Sequence, residues 1–199
     1  LAVLIAIEGI DGSGKTTVAE FLKNRLIEIG YEVILLKEPT DSPWGRKIKE
    51  SYSSRLSPEE ELELFLKDRE YDAKENIIPA LEKGMVVIMD RYYYSTIAYQ
   101  GALGFDTEEL RDRNEKIAPK PDLLIVLDLP PEKALKRVKK RGEPNEFEKS
   151  EYLRKVREIF LSIPEAVVVD ADRETEEIKR EVLEKVIEVL ERNEKHREK

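Results

Sequence analysis

Cysteine is absent from this chain, and histidine and glutamine occur once each. Without cysteine there are no disulfides, no thiolate metal sites and no cysteine nucleophile. That fits a cytoplasmic protein, the compartment we expect. The lone histidine, His196, lies in an all-polar tail (192–199) that reads as frayed chain. A zinc site or a Ser-His hydrolase triad therefore has almost no material. No sustained basic stripe occurs and the formal net charge is −8, so duplex nucleic acid is not an expected partner. Any polyanion site must be a local island of Lys and Arg. Long apolar runs are also missing. Residues 1–7 are apolar but too few to span a membrane, and they lack the basic region and cleavage site of a signal peptide. We expect a buried strand there and no membrane partner. Gln100 is the only glutamine while Glu and Lys abound, a bias many hyperthermophile proteins share.

What is present is a globular composition, 40% apolar and 39% charged, over 199 residues. That length suits one domain, 1–199, with a sizeable core. Five short apolar runs occupy residues 2–7, 33–36, 85–89, 123–127 and 166–169. They are nearly continuous rather than alternating, as parallel strands buried on both faces are. Helix-period stretches lie between them, at 16–29, 58–83 and 131–140. A last one, 174–190, carries Ile178, Val182, Leu183, Val186 and Val189 on one face. Strands alternating with helices predict a three-layer α/β fold. Gly30 is a C-cap candidate, Pro58 with Glu59 to Glu61 marks a helix start, and Pro79 is expected to kink or end that helix late.

Between the first strand and the first helix runs Gly9-Ile10-Asp11-Gly12-Ser13-Gly14-Lys15-Thr16, which matches G-x-x-x-x-G-K-[ST] in the context the motif requires. Glycines let backbone N–H groups turn inward around phosphate oxygens, and the following helix aims its positive end at the same anion. Lys15 is expected to reach the β- and γ-phosphates of ATP, and the Thr16 hydroxyl to ligate Mg²⁺. Thr17 extends the nucleotide-binding set, although its own position reads first as an ordinary helix residue. An N-K-x-D run, which a GTPase would need, does not occur. One P-loop in a chain of this size points to a small-molecule kinase whose second substrate supplies the acceptor.

Further pieces follow in order: Glu38-Pro39-Thr40, Phe65-x-x-x-Arg69, Asp90-Arg91-Tyr92, Ser95-Thr96-Ile97-Ala98-Tyr99-Gln100-Gly101 and Pro121-Asp122-Leu123. Asp90-Arg91 follows the third apolar run, where ligands bind in open parallel sheets, and a guanidinium can grip a phosphate through two N–H groups. Phe65 and Arg69 are four apart, hence on one helix face. With the P-loop, these pieces give the chain a resemblance to the thymidylate kinase family over nearly its whole length. The resemblance implies a five-stranded parallel sheet of order 2-3-1-4-5, Mg²⁺-dependent transfer from ATP to dTMP, and a homodimer. It implies that Arg91 binds the acceptor phosphate, that Phe65 stacks on thymine, and that Arg69 contacts its O4. It also implies that Thr96 and Gln100 lie near the base edge, that Tyr99 crowds the 2′ position of the sugar, that Asp11 serves the acceptor, and that Asp90 belongs to the metal shell. Glu38 and Pro39 line the acceptor site on the same ground.

Three positions depart from the family pattern. Lys37 stands where relatives often carry Arg, Gly12 and Ser13 stand where some carry a P-loop Arg, and Glu146 stands where those without one have a lid Arg. Transition-state charge must then be met from the basic lid segment, about 137–149, with Arg137 expected on adenine and Arg141 on the phosphates, Lys140 competing. Two other functions stay open here: another nucleoside or nucleotide kinase of the same fold, and a regulator that holds ATP without catalysis.

Overall fold

The apolar runs form five parallel strands: β1 (Val3–Glu8), β2 (Val33–Lys37), β3 (Val86–Asp90), β4 (Leu123–Asp128) and β5 (Ala166–Asp170). The computed structural model describes residues 1–51, 56–139 and 146–197. The strands join one sheet of order β2-β3-β1-β4-β5, as expected. Each strand runs one residue past its apolar run and ends on a charged side chain, namely Glu8, Lys37, Asp90, Asp128 and Asp170. The expectation of burial on both faces needs correcting for two strands. β1 and β3 are buried throughout, but β2 and β5 are the sheet's edges and are only partly covered, with Val168 45% exposed.

Helices cover both faces. α1 (Lys15–Glu28) and α9 (Thr175–Arg197) lie together against the sheet. Of the predicted α9 stripe, Ile178, Val182, Val186 and Val189 are buried and Leu183 packs at its rim. Gly30 ends α1 with φ 99°, a left-handed turn that a side chain would resist. Its N–H donates to the Ile27 carbonyl and that of Tyr31 to the Leu26 carbonyl, the paired bonds of a Schellman cap. The opposite face carries α4 (Ile78–Glu82), α5 (Tyr93–Ala102) and α8 (Glu146–Leu161), with α3 (Pro58–Asp72) packed on α5. The remaining helices are α2 (Pro43–Ser51), α6 (Thr107–Glu115) and α7 (Pro131–Lys139).

The stretch 58–83 is not one helix with a late kink. Its start is as read, strengthened by a capping box in which Ser57 and Glu60 satisfy each other's backbone N–H. A π-helical turn, Ala73–Ile77, then interrupts it before α4. Pro79 falls in the first turn of α4. A proline lacks an N–H and crowds the carbonyl four residues earlier, so its effect is felt on its N-terminal side. The wider π turn absorbs it there.

α2 is tied to α3 through the loop after β2. The Asp68 carboxylate accepts the Thr40 N–H at 2.8 Å and the hydroxyls of Thr40 and Ser42 at 2.5 and 2.6 Å. The Gly45 N–H donates to Ser42 Oγ at 2.9 Å. A Cβ on Gly45 would lie 2.2 Å from the Thr40 carbonyl oxygen and 2.8 Å from Asp68 Oδ1. Gly101 in α5 is less confined, because a Cβ there meets only the side-chain ends of Thr107 and Ile159, at 2.8 and 3.0 Å. Gly45→Ala should therefore destabilise by about 2–3 kcal/mol. Gly101→Ala should stay within about 1 kcal/mol, because the helical gain from alanine offsets the crowding. Urea midpoints check both, and equal shifts would contradict the close approach of α2 to α3.

Candidate active site

The phosphate loop connects β1 to α1. Gly9 has φ 139°, and a Cβ there would sit 2.5 Å from the Leu127 carbonyl oxygen, so only glycine lets the loop pass this close to β4. Gly12 and Gly14 also have positive φ. A Cβ on Gly12 would lie 2.7 Å from the Ala134 carbonyl oxygen of α7, so the backbone of α7 leaves no room for a side chain there. Lys15 is buried with its ammonium turned onto the loop, donating to the Gly9 and Ile10 carbonyls at 2.9 and 2.8 Å. Burial and then the Arg91 charge push it down to about 7. The buried Ser13 hydroxyl has no partner among the described residues.

Across from the loop stand the carboxyl ends of β2 and β3. Lys37 pairs with Asp90 in the sheet register. Thr16 Oγ1 donates to Asp90 Oδ2 at 2.6 Å, and the Lys37 ammonium lies 2.9 Å from that oxygen and 3.1 Å from Thr16 Oγ1. Asp90 Oδ1 is buried and without a partner among the described residues. A hydroxyl beside a carboxylate with one free oxygen suits a hard cation that draws its other ligands from water and phosphates. No group of three or more acidic or histidine side chains among the described residues could enclose a metal alone.

Arg91, the next residue, has φ 72°. Its Nη1 donates to Ser95 Oγ at 3.1 Å and its Nη2 to Asp11 of the phosphate loop. Its guanidinium carbon lies 5.6 Å from the centre of the Tyr99 ring. The Tyr99 hydroxyl accepts the Asp11 N–H at 3.2 Å and donates to its carboxylate at 3.4 Å. Burial works to raise the Asp11 carboxyl, but Arg91 and Lys15 outweigh it and hold it below the ordinary range.

The remaining predicted residues meet between α3 and α5. Phe65 is half-buried on α3, one turn before Arg69. Arg69 is 1% exposed and spends four of its five N–H groups on protein. Nε and Nη2 donate to Glu38 Oε2, and Nη1 donates to Thr96 Oγ1 at 3.0 Å and Asn114 Oδ1 at 2.5 Å. Burial raises the Glu38 carboxyl despite the Arg69 charge. Gln100 Nε2 donates to Glu61 Oε2 at 2.9 Å. Pro39 is partly buried behind Glu38. Tyr92, Tyr93 and Tyr94 are buried packing, with Tyr92 held by the Pro119 carbonyl at 2.8 Å.

Of the lid, Arg137 on α7 reaches toward the loop, its Nη1 3.3 Å from the Gly12 carbonyl oxygen. Lys140 and Arg141 lie outside the described residues. The backbone of residues 146–149 forms the first turn of α8.

The thymidylate kinase family model matches residues 7–182. The chain belongs to the thymidylate kinase family. A "Probable thymidylate kinase" of Archaeoglobus fulgidus is 62% identical over 188 residues, covering 94% of this chain and 95% of that one. Thymidylate kinases of Xylella fastidiosa strain 9a5c and Xanthomonas euvesicatoria are 44% and 48% identical, covering 94% and 90% of this chain and 92% and 80% of theirs. The protein is thus an ATP-dependent nucleoside monophosphate kinase. Among the described residues no helix is long and apolar enough to cross a membrane.

Three contacts were not foreseen. Glu61 lies one helical turn before Phe65, so spacing could have flagged it, but Arg91 lies outside α5 and helical spacing does not link it to Ser95. Asn114 is 45 residues from Arg69 and carries no local signal.

Asp72 completes the acidic group around Arg69. Burial raises its carboxyl from 3.8 to about 6, against the Asn76 hydrogen bond, and the Asp68 charge adds to the rise. A folded-state pKa above the unfolded one favours the neutral form, so stability is full below about pH 4 and is lost as pH rises through about 6. Asp72→Asn cannot ionise and keeps an oxygen for the Asn76 amide, now 2.6 Å away. It should stabilise the protein by about 1–2 kcal/mol at pH 8, a shift of this size discounted for relaxation, and by almost nothing at about pH 4. Melting curves of both proteins across pH check this. A gain that does not change with pH would contradict it.

Proposed function

We propose that the protein transfers the γ-phosphoryl group of ATP to dTMP, giving ADP and dTDP. The observation that carries this is Arg91, whose guanidinium bridges the phosphate loop at Asp11 and the Tyr99 wall. A cation there can hold the acceptor phosphate against the γ-phosphate, and holding two anions in line is most of what phosphoryl transfer asks of a protein. An oxygen of the dTMP phosphate forms the new bond to γ-phosphorus. The bond to the β–γ bridging oxygen breaks, and its electron pair leaves with ADP. The attacking oxygen is already ionised, so no general base is needed.

The loop 9–14 binds the ATP phosphates through its backbone, Lys15 swings from its carbonyl partners to follow the migrating charge, and Arg137 and Arg141 close over the nucleotide. Thr16 and Asp90 would hold Mg²⁺, which would screen phosphate charge, and the unpartnered Asp90 Oδ1 beside the Thr16 hydroxyl supports this. Phe65 stacks on the acceptor base. The one Arg69 N–H without a protein partner is available to a base carbonyl, with Thr96 and Gln100 beside it. Tyr99 crowds the sugar's 2′ position. Glu38 holds Arg69, and Pro39 backs it. We read residues 1–199 as one kinase domain acting in the cytoplasm as a homodimer. Exposed Tyr71 and Ile78 beside the acceptor wall support a dimer contact there.

Mg·ATP offered with dTMP, dUMP, dCMP and thymidine should yield chiefly dTDP. Arg91→Ala should lower kcat/KM for dTMP by about 10²–10³-fold while KM for ATP changes little. Lys15→Ala should lower kcat by about 10³-fold or more. Arg69→Ala is a poor probe of base reading, because it strands buried Glu38 at a cost of about 3–5 kcal/mol. Phe65→Ala serves instead and should raise KM for dTMP alone. Phosphorylation of thymidine in place of dTMP, or normal dTMP use by Arg91→Ala, would overturn the assignment.

A further inference from the structure

Glu8 closes β1 at the entry to the phosphate loop and is fully buried. A buried carboxylate persists only where donors satisfy it. Its Oε1 accepts the N–H groups of Tyr92 and Ser95 at 2.8 and 2.9 Å, and its Oε2 accepts the Ser95 hydroxyl at 2.6 Å. All three contacts are donors, the set an ionised carboxylate takes, and they offset only part of the rise in its pKa that burial causes. The two amides belong to the N-cap and third residue of α5, whose own N-cap, Tyr92, supplies no side-chain acceptor. Glu8 thus caps α5 from a different strand, with its charge facing the positive end of the helix.

The same contacts bracket Arg91. Its φ of 72° is unfavourable for a side chain of this size and lasts only where neighbours over-determine it. On one side the Arg91 N–H donates to the Ile7 carbonyl at 3.1 Å, and on the other the Tyr92 N–H is held by Glu8. The Ser95 hydroxyl gives its proton to Glu8, which leaves its lone pairs toward Arg91 Nη1 at 3.1 Å. The other end of the guanidinium meets Asp11, whose side chain is 61% exposed. The Nη1 end is therefore anchored in the protein interior, and the Nη2 end faces a partner that an incoming phosphate can replace.

We propose that Glu8, acting through Ser95, is the positioning residue that aims Arg91 at the acceptor phosphate. This rests on the assignment of Arg91 as the acceptor-phosphate ligand. Neither Glu8 nor Ser95 touches substrate, so both act only through the arginine.

A double-mutant cycle of Ser95→Ala and Arg91→Ala tests it, read as kcat/KM for dTMP and KM for ATP in the full-length enzyme. Ser95→Ala alone should lower kcat/KM for dTMP about tenfold with KM for ATP unchanged, and Ser95→Thr, which keeps the hydroxyl, should restore it to within about twofold. In the Arg91→Ala background the Ser95→Ala loss should vanish. Glu8→Gln keeps the shape, but its one acceptor oxygen is taken by the Tyr92 and Ser95 amides and its NH2 group can only donate to the Ser95 hydroxyl, so it should reproduce the Ser95→Ala loss without adding to it. Should Glu8→Gln not fold, the Ser95 cycle decides alone. A loss of undiminished size in the Arg91→Ala background, or no loss in Ser95→Ala, overturns the positioning role while leaving Arg91 as phosphate ligand intact. If Arg91→Ala by itself uses dTMP normally, the underlying assignment fails, and the positioning role with it.

Discussion

In the parallel register, Ile7 of β1 and Lys37 of β2 both pair with Asp90 of β3. This alignment sets Glu8 beside Arg91 and Lys37 beside Asp90 at the same edge of the sheet. The phosphate loop leaves from that edge, and so do the loop to α2 and the start of α5. A shift of the register by one residue would turn these charged ends away from one another. It would strand buried Glu8 and Asp90 away from their partners, which disfavours it. The apolar core and the polar site are therefore consequences of one pairing.

Burying charge at that edge is unfavourable unless each group has a partner, and the structure meets this condition with networks rather than single pairs. Glu38 is held by Arg69, which is also held by Thr96 and Asn114. Asp68 takes three donors from the loop 40–42, and Glu8 takes three from the start of α5. The least satisfied groups are informative. Asp90 Oδ1 and the Ser13 hydroxyl lack partners among the described residues, and both border the phosphate loop and α1. Asp72 and Glu38 each keep one oxygen without a partner among the described residues, and burial raises both carboxyls.

Such an arrangement suits phosphoryl transfer, in which charge moves but few protons do. Asp11 lies close enough to both Arg91 and Lys15 for its charge to offset theirs. Holding Arg91 in place before substrate arrives removes part of the reorganisation from the chemical step. The Lys37 ammonium, set against Thr16 and Asp90, balances the Asp90 carboxylate.

Much of this was legible in the chain. Five apolar runs of strand length, separated by helix-period stretches, dictate a covered parallel sheet, because no other layering buries them. The G-x-x-x-x-G-K-T run dictates a phosphate loop, because its glycines reach backbone conformations that other residues resist. The spacing of Phe65 and Arg69 gave their shared face. Tertiary structure alone decided what those side chains meet. Arg69 proves to be enclosed by Glu38, Thr96 and Asn114, and Asn114 comes from a helix that no local pattern links to it. The break in 58–83 falls before Pro79, since ring crowding acts on the preceding turn. Strand ends moved outward by one charged residue each, because sheet pairing continues past the point where hydrophobicity stops. Periodicity reports which face of an element is buried, but only the packed fold determines which polar groups are left facing each other at its ends.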